Sequence, residues 1–272
     1  MAAFLEPDLT TIAFCWRVER RDGVAIGFTT HDRELHIDGL AYRAAPGMLP
    51  SAITLSDRFE PDTLDVAGAL TSDAISDEDL KAGRWDGAAV TIFMVDWADP
   101  EGERLHLARG ELGEVAVKGS AFQAELRGPT AMLERAVVEQ TSPECRAELG
   151  DKRCRVDMGA RVRVTRIVTV PHEDQLEVAS FAGEANAYGY GRLRWISGAN
   201  SGLERAVLKS AGALLTLREP PHFAAAVGDL VELHEGCDRA FATCRSRFAN
   251  ALNFRGEPHL PGMDLLTRYP GA

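Results

Sequence analysis

At 272 residues, 45% apolar and 26% charged, the chain has the make-up of an ordinary folded protein, with room for one large domain or two to three small ones. A formal net charge of −11 argues against nucleic-acid binding as its main work, because phosphate contacts need Lys and Arg. The start, Met1-Ala-Ala-Phe-Leu-Glu-Pro-Asp8, lacks the basic and apolar regions of a secretory signal, and no run reaches the roughly 18–20 apolar residues of a membrane helix, so no stable membrane anchor is expected.

The charge is uneven. Residues 50–80 are rich in acids (Asp57, Glu60, Asp62, Asp65, Asp73, Asp77, Glu78, Asp79), whereas Arg146, Lys152, Arg153, Arg155, Arg161, Arg163 and Arg166 make a basic stretch. A second basic group (Arg239, Arg245, Arg247, Arg255) lies near the end.

In chain order, Thr11–Arg20 alternates like a strand and meets the turn signal Arg21-Asp22-Gly23, so a hairpin with residues 24–30 is predicted. Leu35–Arg43 reads as a second hairpin with Asp38-Gly39 at its tip. Ser76 is a good N-cap for a short helix closing on Gly83. A buried strand over 88–97 and strands near 103–117 and 121–126 follow, then a helix over Thr130–Glu139. Arg161–Val170 alternates with period two, and short strands recur over 175–181, 190–197, 204–210, 214–217 and 229–235, which predicts a small antiparallel barrel or sandwich across 161–235. The tail from Phe241 is rich in turn residues and short in apolar periodicity, so something other than a core should hold it.

Five cysteines are present. Cys15, between Phe14 and Trp16 in a strand, reads as a small core residue. The others form two pairs, Cys145-x8-Cys154 and Cys237-x6-Cys244, flanking the predicted barrel. Three readings are open: separate buried thiols, disulfides without a secretory context to favour them, or thiolate ligation of zinc or an iron–sulfur cluster. The spacings are wider than the tight pairs of zinc ribbons. Four thiolates on zinc or on a cluster leave a net charge of about −2 that needs compensation. Arg146, Arg153, Arg155, Arg239 and Arg245 stand close in sequence to supply it, and backbone N–H groups can tune the sulfurs.

Other candidates are weaker. His31-Asp32 reads as a turn rather than an acid–base pair, His106 as a residue on a polar strand face, and Asp96, Asp99 and Glu101 as a solvated loop. Gly189 and Gly191 lack the strand–helix context of a dinucleotide site. Asn250 and Asn253 suit backbone capping in the irregular tail, where Gly256 and Gly262 permit tight turns. No catalytic constellation is found, and no enzyme is predicted.

Cys145-Arg-Ala-Glu-Leu-Gly-Asp-Lys-Arg-Cys154 and Cys237-Asp-Arg-x4-Cys244, followed by Phe248-x-Asn250-x2-Asn253-Phe254-Arg-Gly256-x-Pro258-x2-Pro261-Gly262, closely resemble the hub protein family of phage-like tails. That family includes the baseplate hub of alphaproteobacterial gene transfer agents and is more distantly similar to tail-tip protein L of lambda-like siphophages. Gly27–Asp32 and Asp79–Ala88 resemble it as well. The resemblance implies a mainly β fold: an N-terminal β-rich hub domain (1–140), a first cysteine-pair segment (141–160), a small β-barrel (161–235) and an irregular C-terminal segment (236–272) clamped by a four-cysteine site. It also implies a structural, ring-forming protein, a homotrimer joining the distal tail protein above to the tip or fibre-bearing protein below. Such a protein is assembled in the bacterial cytoplasm and resides in the tail or baseplate of a virion-like particle. A [4Fe–4S] cluster on Cys145, Cys154, Cys237 and Cys244, with zinc as the alternative, is implied in the same way. An acidic hub would let DNA pass through its channel without binding it. The competing reading is an iron–sulfur enzyme in electron transfer or DNA processing.

Overall fold

The computed structural model describes residues 3–6, 9–44, 49–50, 63–69, 76–118, 121–128, 138–179 and 185–260. The chain divides into two compact units, Met1–Val137 and Val138–Ala272. Among the described residues no helix is long and apolar enough to cross a membrane.

In the first unit, β1 (Ile12–Glu19) and β2 (Ala25–Thr29) form the predicted hairpin, with Gly23 at φ +88° supplying the turn. The next hairpin joins β3 (Leu35–Ile37) to β4 (Leu40–Ala44) through Asp38 and Gly39, both left-handed at φ 50° and 73°. Two successive positive φ values match the twist of the paired strands, which is why Asp-Gly stands at this tip. A short β5 (Leu49–Pro50), β6 (Thr63–Ala69), β7 (Ala89–Asp96), β8 (Arg104–Lys118) and β9 (Ala121–Arg127) complete a mixed sheet ordered β3-β4-β2-β1-β7-β8-β9-β6-β5. The parallel member is β2–β4, where Gly27 lies so close to the Tyr42 ring that an added Cβ would stand 2.7 Å from it. Between β6 and β7, α1 (Asp77–Lys81) starts on Ser76, whose hydroxyl accepts from Asp79 N–H, and gives way to Gly83 at φ +76°.

Alternation in β1 sends successive side chains to opposite faces of the sheet. Trp16 and Val18 join a core with Phe28, Trp85 and Ile92, whereas Ala13 and Cys15 join another with Ile37, Tyr42, Phe93 and Val95. Cys15 is fully buried, as its sequence setting predicts, and burial pushes its thiol pKa up. The helix predicted over Thr130–Glu139 falls almost wholly outside the described residues.

In the second unit, β10 (Val162–His172), β11 (Gln175–Val178), β12 (Arg192–Trp195), β13 (Glu204–Ala211), β14 (Leu214–Leu217) and β15 (Leu230–His234) form a closed barrel ordered β10-β11-β14-β13-β12-β15. All its pairings are antiparallel, and β10 closes the ring on β15 with Val162 opposite His234. Closure settles the barrel-or-sandwich alternative and removes the exposed strand edges that an open sheet presents. Inward positions carry Ile167, Leu176, Leu193, Trp195, Leu215, Val231 and Leu233, all buried. Buried Asn200 fixes the loop before β15: its amide nitrogen donates to the Phe223 carbonyl at 2.7 Å, and its oxygen accepts from Phe223 N–H at 3.1 Å.

Candidate metal centre

Barrel closure governs where the cysteines go. The chain enters at β10 and leaves at β15, and these strands are neighbours, so the segments carrying the two cysteine pairs emerge side by side. Glu235 N–H extends the ladder by donating to the Arg161 carbonyl at 3.0 Å. Beyond it the chain must cross residues 189–191 at very short range. A Cβ on Gly236 would stand 2.1 Å from Gly189 O and Gly191 N, and one on Gly191 would stand 2.2 Å from His234 O. The paired glycines therefore serve a backbone crossing, which delivers Cys237 to the first cysteine segment. Cys145 N–H then donates to the Arg239 carbonyl at 2.9 Å.

After that crossing, α2 (Phe241–Ser246) carries Cys244, and a 3-10 turn (Ala251–Asn253) follows. Asn250 joins this part to Cys154. Its side-chain amide donates to the Cys154 carbonyl at 2.6 Å and lies 3.7 Å from the Cys154 sulfur. Its backbone N–H donates to the Cys244 carbonyl, and the Cys244 thiol donates to the Asn250 carbonyl at 3.4 Å. Asn253 supports Asn250 by donating to its Oδ1 at 2.7 Å.

Two sulfurs accept backbone N–H groups: Cys145 from Arg255 at 3.3 Å and Cys237 from Arg239 at 3.4 Å. Arg239 itself sits at φ 61°, an uncommon conformation for a non-glycine residue. Cys154 and Cys244 are buried, whereas Cys145 and Cys237 are half-buried. Burial pushes the Cys244 thiol up to about 11, helped by the neighbouring charges of Cys145, Cys237 and Cys154. The Cys237 thiol is raised by burial against the Arg239 N–H, with Asp238, Cys154 and Cys145 adding to the rise. All four sulfurs thus share one electrostatic neighbourhood. Among the described residues, however, no three His, Cys, Asp or Glu side chains converge closely enough to hold a metal ion.

The C-terminal segment is tied to the first cysteine segment by hydrogen bonds and ion pairs. Arg146 N–H donates to Arg255 O at 3.0 Å, Glu257 N–H to Ser142 O at 2.8 Å, and Ser142 N–H to Glu257 Oε2 at 2.9 Å. One expectation needs correction: the arginine side chains do not all serve the sulfurs. The Arg146 guanidinium forks onto Glu257 at 2.7 and 3.0 Å and also reaches Glu139, to which Arg153 is bound as well. Arg155 turns back to the Lys152 carbonyl. Carboxylates outcompete neutral thiols for guanidinium because charge-assisted pairs are the stronger hydrogen bonds. At the sulfurs, the expected backbone N–H donors are those of Arg239 and Arg255.

The lesser candidates are structural. The His31 ring accepts from Arg33 N–H at 3.1 Å and lies 5.0 Å from the Trp97 ring. Asp96 accepts from the Thr11 hydroxyl and from Ala98 N–H, and Glu101 from Asp38 N–H. His106 is exposed, its ring 5.8 Å from that of Phe93.

Comparison with known proteins gives this arrangement a family. Residues 1–157 match the family described as baseplate hub protein, N-terminal attachment domain. Residues 186–264 match a second family, described as phage conserved hypothetical protein BR0599. The first match holds Cys145 and Cys154, and the second holds Cys237 and Cys244. No curated protein matches the chain. A solved structure, the virion of a native gene transfer agent particle, contains a chain similar at 40% identity and a TM-score of 0.83, over 99% of this chain and 94% of that one. The first match spans more than half of the residues and the structural one nearly all of them: the chain belongs to the baseplate hub protein family.

Proposed function

We propose that this chain is a structural component of the baseplate of a gene transfer agent or similar phage-like tail. It forms a homotrimeric ring between the distal tail protein and the tip or fibre-bearing protein, with DNA passing through the ring. The observation that carries this reading is whole-chain similarity, at 40% identity, to a chain of a native gene transfer agent virion. Charge supports the DNA channel. Met1–Val137 holds 13 Lys and Arg against 24 Asp and Glu, whereas Val138–Ala272 holds 17 of each. The whole net charge of the chain therefore resides in the first unit, which is the part suited to repelling a phosphate backbone.

The cysteine centre is proposed to hold a [4Fe–4S] cluster on Cys145, Cys154, Cys237 and Cys244. Support comes from the donor set: four thiols in mutual electrostatic reach, two of them already accepting backbone N–H groups of the kind that tune cluster sulfurs. Zinc, which four thiolates bind at about 2.3 Å, is the alternative on the same donors. When bound, the cluster would cross-link the segments on either side of the barrel. Asn250 and the Arg239 and Arg255 N–H groups would orient the sulfurs.

The test is anaerobic purification, an absorption spectrum from about 300 to 600 nm, and assay of iron, sulfide and zinc per chain. A broad shoulder near about 400 nm, with iron and sulfide lost together in Cys154→Ser, is the expected result. Colourless protein with stoichiometric zinc replaces the cluster by the alternative, and metal-free folded protein removes both. The hub reading is tested apart from this, by whether the chain assembles with its neighbouring tail proteins.

A further inference from the structure

A cavity of about 520 Å³ lies in the second unit beside the cysteine centre. Its wall includes Ala147, Met158, Val162, Arg192, Cys237 and Arg239, and Cys237 is the sole cysteine on it. The glycine crossing explains the geometry. With no side chains at Gly191 and Gly236, the backbone itself forms part of the wall, and the residue that follows Gly236 is Cys237.

The wall carries charge of both signs, but most of its carboxylate is engaged. Asp151 accepts from the N–H groups of Glu148, Arg153 and Cys154, and Glu235 is bound by Arg161 and Arg247. Glu148 remains against the exposed guanidiniums of Arg192, which lies 4.0 Å from Glu204, and Arg239. His234, also on the wall, pairs with Glu232. The wall is therefore mixed in charge, with Glu148, Asp151 and Glu235 set against Arg192 and Arg239.

We infer that this cavity is the port through which small molecules reach the cysteine centre, that Cys237 is its exchangeable ligand, and that a small thiol is the ligand class matched to it. The second half rests on the cluster reading above. Cys145 is the control within the molecule: it is half-buried like Cys237, yet absent from this wall.

The port is tested on reduced, metal-free, full-length protein with iodoacetate and, separately, iodoacetamide, following each cysteine by peptide mass spectrometry. Cys237 is expected to be alkylated well ahead of buried Cys154 and Cys244. Val162→Phe, which fills the wall, slows Cys237 several-fold and spares Cys145, so each cysteine is compared with itself. Slowing of Cys237 and Cys145 alike in Val162→Phe, or slowing of neither, overturns the port.

The exchangeable ligand is tested by reconstituting Cys237→Gly with iron and sulfide in the presence of mercaptoacetate. The added thiolate, its proton released to solvent, takes the vacated position, and iron and sulfide content recovers in Cys237→Gly but not in Cys154→Gly. Failure to rescue Cys237→Gly while the wild type loads overturns this half. A wild type that takes up no iron defeats the cluster reading instead, and the alkylation comparison still decides the port.

Discussion

The side-chain amide of Asn250 donates to the Cys154 carbonyl at 2.6 Å, and Asn250 itself is bound at both backbone groups to Cys244. One asparagine thus links cysteines that enter the site from opposite ends of the barrel. Asn250→Ala should leave the buried Cys154 carbonyl without that donor, a loss of about 1–3 kcal/mol read by denaturant unfolding. Asn250→Asp keeps the oxygen that Asn253 needs but loses the donor, so it should be destabilised too. On the proposed cluster reading, anaerobically purified protein of both variants should hold less iron than wild type.

The glycine crossing predicts a steep steric dependence. Gly236→Ala would place a methyl 2.1 Å from backbone atoms of Gly189 and Gly191, which cannot retreat without opening the barrel mouth. A loss of about 3 kcal/mol or more is expected, at the upper end of overpacking costs. Gly212→Ala, at φ +57° with nothing within 4 Å, should cost only about 1 kcal/mol, from backbone strain alone. Thermal melts of the two variants side by side separate the causes.

Asp38 supplies a pH dependence in the first unit. Its hydrogen bond to the Arg104 guanidinium holds the carboxyl below its ordinary value of 3.8. A depressed carboxylate contributes stability in full above the ordinary value and loses it as pH falls through the depressed one. Asp38→Asn, which still tolerates the left-handed turn, should be less stable than wild type at pH 7. The gap should narrow as acid unfolding curves are taken below about pH 4.

Arg146 ties residues 255–257 to the first cysteine segment through Glu257, on the protein surface. Arg146→Gln should change the melting temperature little, because exposed pairs contribute little to global stability. Protease cleavage after Arg255 should rise several-fold, since local opening is what the pair restrains. Cleavage unchanged from wild type would mean that the backbone bonds of Ser142 and Glu257 suffice.

Much of the fold was legible in local chemistry. Gly23 and Asp38-Gly39 announced two hairpins, Ser76 and Gly83 bracketed a helix, and the alternation from Arg161 onward announced the barrel wall. What escaped depends on distant partners. β6 hides in the acid-rich stretch because its strand character comes from pairing along β9, and the parallel β2–β4 contact has no local signal. Helix α2 lacks a side-chain cap on Ala240, although Asp238 accepts from Ala240 N–H and the Thr243 hydroxyl. At the site, proximity of arginine to cysteine in sequence was misleading, because Glu139 and Glu257 claim Arg146 in space. Gly189 and Gly191 were visible as a pattern, but their purpose emerges only when Gly236 is laid against them.

The β10–β15 pairing, with the crossing at Gly189–Gly191, makes most of the chain between Val162 and His234 a closed excursion as far as the cysteines are concerned. The chain leaves the site, traces the barrel and returns to the place it left. Length added at Glu173-Asp174, the hairpin between β10 and β11 at the end of β10 away from Val162, lengthens the excursion without moving its ends. That hairpin is therefore a natural place to graft a peptide or an affinity handle.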